Sequence, residues 1–478
     1  MIKRDEFFWL NRISEATLLV GLEHGQFSTD FVKTALKGIA DVQAQGDADP
    51  DARVTRYIDW EPMFLQVTGP AYSAMHVGRS SQDILSTLRT AIYRDGAIAV
   101  CQTLCDVIGQ LLELARMHRD TILPSYTNGV AAQPTSLGHT LLAFSASLIR
   151  GLRALQNAIS EYDTSAMGAM VLNGTSWPLD RKAMAERLGF DHFTLNAFDA
   201  TCFTPVDFPL AVSAALAQIG IRTGCFITDV MVQYANARPW ILLTEGGENT
   251  YVSSAMPQKR NPGLLNSARE QASDMVAEMM AVYTRAHNVA SGMTDGKNVE
   301  RNSRTLMTAQ ALLQKLEKIL SGIVVNEKRA IEELNSDWTA SQEVADRLMR
   351  EHGVPFRIGH HFASSMVGLA RKAGFTPLNF PYDEAVRLYR EEIEKEFPKA
   401  SPVFPMNEAD LQSALDPREI VHARTTAGSA NPTEVLKMHG QLSEELTRLR
   451  KDTDRRVDRI NRALETLQRD VAALITQD

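Results

Sequence analysis

Two adjacent hydroxyls open the run Ser253-Ser254-Ala255-Met256-Pro257-Gln258-Lys259-Arg260-Asn261-Pro262. A cation, Lys259, follows the first serine by six residues, and an amide, Asn261, stands two further on. A hydrophobic core has no use for that combination. A serine serves as a base or a nucleophile when its surroundings support the alkoxide, and a nearby ammonium and amide can hold an oxyanion as it develops. The run is a polar loop whose side chains can do chemistry.

Two other segments carry polar side chains near a turn. In His76-Val77-Gly78-Arg79-Ser80-Ser81-Gln82-Asp83, Gly78 suits a tight turn before a helix. Ser80, Ser81 and Gln82 then lie near a helix start, where backbone N–H groups favour a carboxylate. A helix cap, with Ser80 or Asp83 as N-cap, is the plainer reading of those residues alone. In Pro124-Ser125-Tyr126-Thr127-Asn128-Gly129-Val130-Ala131-Ala132-Gln133-Pro134, a Pro-bounded loop is likewise the plainer local reading. His139 beyond it reads as a satisfied structural residue rather than an acid–base group.

The chain that must position these segments has 478 residues, enough for two or three domains. A formal charge of -8 disfavours bulk attraction to nucleic acid or to an anionic membrane, but allows a local basic pocket. Cys101, Cys105, Cys202 and Cys225 lack the partner ligands of a zinc site and read as buried free thiols. No signal peptide and no apolar stretch of membrane-spanning length is read, so the expected location is the cytoplasm.

Apolar residues recur at helical spacing from Asp83 to Arg119, and again after Ser136, a candidate N-cap. Further long helices are expected over 206–237, 263–290 and 303–333, making five that can pack antiparallel in a central bundle. Strand signals at 240–243 and 324–325 are short and isolated. Gly353-Val354-Pro355 breaks the pattern, and 442–474 reads as an amphipathic tail helix that packs on its own chain or on a sister subunit. The fold class is mainly α, with an N-terminal domain over 1–104, a bundle over 105–350 and a C-terminal domain over 351–478.

The serine loop resembles the GSSxMPxKxN signature of the fumarase/aspartase superfamily. His76–Asp83 resembles the HTGRSRND segment of argininosuccinate lyases, and Pro124–Pro134 their PGYTHLQRAQP segment. Pro178-Leu179-Asp180-Arg181, Leu188-Gly189-Phe190, Phe356-Arg357 with His360-His361, and Thr425–Ser429 extend the likeness along most of the chain. The resemblance implies three helical domains in a homotetramer, with each site shared between subunits. It implies Ser253 as the base that takes a proton from the carbon beside a carboxylate. Lys259 and Asn261 would hold the resulting aci-carboxylate, with Ser254 and Met256 beside them on the loop. Thr127 and Ser80 would grip a substrate carboxylate, and Gly263 would be a hinge for loop closure. No metal and no organic cofactor is implied.

Several positions depart from that pattern. Asn128 stands where the lyases have histidine. Its glutamate partner, seven residues after the motif lysine, is replaced by Asn266. Ser81 and Gln82 replace an Arg-Asn pair, and Val252 replaces the glycine before the serines. Asn298 and Arg301 stand where a Gln and a Lys hold the arginine-like part of the substrate. An Asn–Asn pair can hydrogen-bond but cannot relay a proton. The resemblance therefore implies a lyase that eliminates from a small, dicarboxylate-type succinyl substrate, releases fumarate and is not a housekeeping argininosuccinate lyase. Its leaving group would need no enzymic acid, or would take one from Tyr126 or His76. A carboxymuconate-type cycloisomerase and a catalytically silent structural homologue are the alternatives.

Overall fold

Short polar caps start the N-terminal helices. Asp5 accepts the Phe8 amide ahead of α1 (Glu6–Glu23), and Ser28 accepts the Phe31 amide ahead of α2 (Thr29–Ala48). With α3 (Tyr57–Thr68) they form a layer in which Trp9, Trp60 and Phe64 are fully buried. The computed structural model describes residues 4–476.

The next helix, α4 (Ser81–Met117), sets the scale of the molecule. Its 37 residues, with no proline, span about 55 Å at ~1.5 Å per residue. A capping box starts it: Ser80 Oγ accepts the Gln82 and Asp83 amides, while Asp83 Oδ1 accepts the Ser80 amide. A hairpin of β1 (Ile122–Thr127) and β2 (Val130–Ser136) follows, and Ser136 caps α5 (Leu137–Tyr162) through the His139 amide. A connector then holds β3 (Thr164–Ser165), α6 (Arg181–Arg187), β4 (His192–Phe193) and α7 (Ala197–Cys202), with β3 parallel to β4.

The bundle is completed by α8 (Thr204–Gln233), β5 (Ile241–Leu243), β6 (Tyr251–Val252), β7 (Arg260–Asn261), α9 (Gly263–Ala286), α10 (Val299–Gly322) and β8 (Ile323–Val325). Side-chain pairs give the directions. Gln310 bonds Thr103, and Gln110 bonds Ser321, so α10 runs parallel to α4. Lys315 meets Ser267 and Arg285 meets Asn302, so α9 runs against α10. Phe144 packs on Phe226 and Gly151 on Ile219, so α5 runs against α8. The ends of α4 and α8 and the starts of α5 and α9 thus share one end, called upper here. The starts of α4, α8 and α10 share the lower end.

A separate core forms from Trp338 to Ile420, holding Phe362, Phe380, Tyr389 and Leu411. It is built by α12 (Ser341–His352), α13 (Phe356–Ala373), α14 (Tyr382–Glu396), α15 (Glu408–Leu415) and α16 (Pro417–His422), after the bridging α11 (Glu327–Ser336). The final helix, α17 (Pro432–Thr476), leaves that unit and lies on α4 and α5, where Gln156 bonds the Leu449 carbonyl and Thr453. The expected division at 104/105 therefore falls inside α4, and that at 350/351 falls inside α12, which shares one core with α13. The tail belongs with the bundle.

Other expectations are corrected locally. The helix read over 303–333 stops at Gly322 because 323–325 pairs as β8 with β5, so the two isolated strand signals are one antiparallel pair. Cys225 is exposed, while Cys101, Cys105 and Cys202 are buried. Against the reading of no membrane-length stretch, α4 and α8 are long and apolar enough by composition, with 56% of each such window buried inside the chain. Bundle-core helices meet that criterion too.

One buried acid links pH to this packing. Glu15 on α1 pairs with Arg12 at 3.0 Å and accepts from Gln468 of α17 at 2.7 Å. Burial pushes the Glu15 carboxyl up from 4.5 to about 7, against the pull of Arg12. Between those values the folded chain keeps a proton that the unfolded chain releases, so stability falls as pH rises through this window. Glu15→Gln should flatten that decline: its melting temperature relative to wild type should rise from pH 5 to pH 8, and a pH-independent difference would remove Glu15 as the cause.

Candidate active site

The serine loop is the turn of the β6–β7 hairpin, in which Tyr251 pairs with Asn261 and Val252 with Arg260. Inside it, the Ser253 amide bonds the Lys259 carbonyl at 3.3 Å and the Lys259 amide bonds the Met256 carbonyl at 3.0 Å. Ser253 Oγ accepts the amides of Ala255 at 3.4 Å and Met256 at 3.2 Å. Two N–H dipoles aimed at one oxygen favour its anion. Arg260 braces the loop, reaching Glu245 at 3.1 Å and the Pro257 carbonyl at 2.7 Å.

Ser253 is half-buried, while Ser254, Met256 and Lys259 are exposed, and Lys259 has no acidic partner among the described residues. Asn261 Nδ2 donates to the Tyr251 carbonyl at 3.3 Å. Asn266 lies half-buried in the first turn of α9. Gly263 is not a left-handed hinge: it opens α9, and a Cβ there would lie 2.9 Å from the Tyr251 ring. Two glycines ahead of the hairpin, Gly246 and Gly247, do have positive φ, at +90° and +57°.

Thr127 and Asn128 are exposed at the tip of the β1–β2 hairpin. Thr127 pairs with Val130, leaving Asn128-Gly129 as a two-residue turn with φ of +52° and +78°. Positive φ at both positions is the type I′ pattern, for which Asn-Gly is a preferred pair. That turn was not read from the sequence, although Asn-Gly between two extended runs signals it. Tyr126 is tied inward: its hydroxyl bonds Glu333 and accepts from Trp240 at 3.1 Å and Gln233 at 3.3 Å. Burial, with Glu333, pushes its phenol up to about 12, and its hydrogen is directed to Glu333. His139 is held between Thr135 at 3.2 Å and the Gly428 carbonyl at 3.1 Å, as a structural residue would be.

The remaining candidates stand at the lower end. Ser80 is buried, and its hydroxyl faces Asp83 at 3.3 Å while accepting the Gln82 and Val171 amides. Its oxygen is committed to the cap, which corrects the expectation that it grips substrate. Ser81 and Gln82 are half-buried in the first turn of α4. Asn298 caps α10 through the Arg301 amide at 2.8 Å, and the Arg301 side chain is exposed. His76 stacks on Tyr57 at 4.8 Å, and burial lowers its pKa, so it is a poor proton donor at neutral pH.

The chain therefore sorts its candidates into two groups. Ser253, Lys259, Asn261, Asn266, Thr127 and Asn128 stand at the upper end. Ser81, Gln82, Asn298 and Arg301 stand at the lower end, the length of α4 away. The upper group can generate and hold negative charge, and the lower group offers amides, a hydroxyl and a cation.

A family model described as "Lyase" matches residues 39–277, and one described as "Argininosuccinate lyase C-terminal" matches 338–422. The argininosuccinate lyase of Methanocaldococcus jannaschii is 25% identical over 461 residues, covering 95% of this chain and 91% of its own. A crystal structure of EDDS lyase in complex with formate superposes with a TM-score of 0.87 at 22% identity, covering 98% of this chain and 92% of that one. A variant of the same enzyme with bound fumarate matches equally well. The beta-carboxy-cis,cis-muconate cycloisomerase of Acinetobacter calcoaceticus stands further off, with a TM-score of 0.67 at 15% identity over 93% of this chain and 96% of its own.

Proposed function

The chain belongs to the lyase family, as an argininosuccinate lyase-like member of the fumarase/aspartase superfamily, and from that premise we propose that it cleaves N-substituted aspartates to fumarate and an amine. It is an enzyme of the carbon–nitrogen lyase class. The observation that carries the finer reading is Ser253 Oγ receiving two loop amides, with Lys259 and Asn261 on the same hairpin.

The chemistry follows from those groups. Ser253, as alkoxide, takes a proton from the carbon beside one carboxylate. The electron pair left behind spreads into that carboxylate, which Lys259 and Asn261 hold as its charge rises. The carbon–nitrogen bond then breaks, its electron pair stays on nitrogen, and the carbon–carbon double bond of fumarate forms. A secondary amine substrate is an ammonium at neutral pH and carries its own proton, so it departs as a neutral amine. No relay is needed, which suits Asn128 and Asn266.

The sites are completed between copies of the chain, in a homotetramer. Its support is the separation of the two groups and the apolar residues left exposed on the bundle: Ile221 and Val232 on α8, Met280 on α9 and Met307 on α10.

A panel of N-substituted aspartates tests the reading by fumarate release; no fumarate from any member would leave the cycloisomerase or the silent homologue. The double variant Asn128→His/Asn266→Glu should gain up to about 100-fold on substrates with poor leaving groups relative to good ones, the scale of one acid–base group. Histidine is tolerated at the positive φ of 128. An unchanged ratio would mean that no proton relay can be rebuilt at these positions.

A further inference from the structure

We infer that Arg89 and Lys297 form an anion subsite for a carboxylate on the amine half of the substrate. This rests on the elimination reading above and deepens it.

Both cations line one cavity at the lower end, with Thr90, Phe208, Pro209 and Asn302. Lys297 is 3% exposed, yet it makes no hydrogen bond or ion pair among the described residues. Arg89 also has no ion pair there, and its Nη1 is buried without a partner. Two other polar side chains of the cavity are already engaged. Tyr93 bonds Thr305 at 3.2 Å, and Asn302 donates to the Gly296 carbonyl at 2.9 Å while accepting from Arg285 at 3.1 Å. A buried ammonium beside a half-buried guanidinium, with no counter-ion bonded to either, is costly, and an anion between them lowers that cost. The nearby groups do not supply one: Glu6 and the Cys202 thiol act on Arg89 and Lys297 without bonding them. Burial lowers the pKa of both cations, as an empty anion site would.

The position suits the amine half. Lys297 immediately precedes Asn298. Arg89 lies seven residues after Gln82, on the same face of α4 and about 10.5 Å along it. Phe208, Pro209, Pro205 and Val299 give the cavity apolar walls. The amine leaving group is thus an amino acid rather than a simple alkylamine.

Matched substrates test this: an N-(carboxyalkyl)aspartate against the N-alkylaspartate of equal length. Wild type should favour the acid on the order of 10- to 100-fold in kcat/KM, the scale of a hydrogen bond to a charged group. Lys297→Met and Arg89→Leu should each shrink that ratio, and the double variant should bring it near one. No preference in wild type, or an undiminished preference in both variants, overturns the subsite. If no substrate yields fumarate, the elimination reading fails separately, and malonate binding decides the subsite. A malonate-induced rise in Tm that both variants abolish upholds it. An equal rise in all three proteins, or none in any, overturns it. Lys297→Met sheds a buried charge, so its own Tm should stay at or above wild type and report that it folds.

Discussion

Ser253→Ala should lower kcat for fumarate release by roughly 10²- to 10⁴-fold, the range over which a positioned base contributes, and leave KM nearly unchanged. Ser253 Oγ is the atom on which the Ala255 and Met256 amides converge. Alanine removes that oxygen while leaving the loop's own frame, the Lys259–Met256 and Ser253–Lys259 backbone bonds, intact. On the proposed mechanism the substrate's carboxylates are held by other residues, so binding should survive. Steady-state kinetics on the best substrate of the panel checks this. A variant within a factor of a few of wild type would move the base elsewhere, and a large rise in KM would make Ser253 a binding residue. Ser254→Ala is the control, since its exposed hydroxyl has no bond among the described residues and should cost far less.

Asp163→Ala should destabilise the fold by about 3–5 kcal/mol, the range for breaking a buried ion pair. Asp163 and Arg94 are both fully buried, 3.0 Å apart, and Arg459 of α17 takes the second Asp163 oxygen. Arg94 also donates to the Gly189 carbonyl at 3.1 Å and lies over the Phe190 ring at 4.6 Å. Removing the carboxylate leaves a buried guanidinium that cannot give up its charge, with the partly exposed Asp95 at 3.1 Å as its remaining acidic partner. Denaturant melts measure the loss. Replacing both partners together, Asp163→Leu with Arg94→Met, should recover much of it, because the buried guanidinium has gone too. A loss below about 1 kcal/mol for Asp163→Ala, the scale of an exposed pair, would mean that water reaches the site. The network joins α4, α5 and α17 close to the lower group, so its loss should also lower activity at temperatures where the chain is still folded.

Local patterns were legible where local forces decide them. The long helices follow the apolar spacing, and Ser136 caps α5 as its position suggested. The α4 helix runs over 81–117, within two residues of the pattern at each end. Long-range pairings were not legible. Nothing near 323–325 says that it pairs with 241–243, about eighty residues earlier, and so ends α10. The docking of α17 is equally remote from its own sequence, because an amphipathic stripe does not name the surface that covers it. At the candidate site, motif spacing located the serine hairpin but not the fate of each hydroxyl. Ser80 has a residue type suited to either a cap or a carboxylate, and only the approach of Asp83 and Val171 decides between them. Asn128 was read as a lost histidine, whereas its backbone also fits the turn that it occupies.

The stiffness of α4 has a consequence for enzymology. A rod of fixed length keeps the serine-hairpin end and the Asn298 end of one chain apart, so no internal motion can bring them together. On the proposal that sites are completed between copies of the chain, catalytic competence belongs to the association equilibrium. Specific activity should then depend on protein concentration, falling on dilution below the dissociation constant of the assembly, and a substitution on an outer helix face should silence the enzyme with every reacting group still in place.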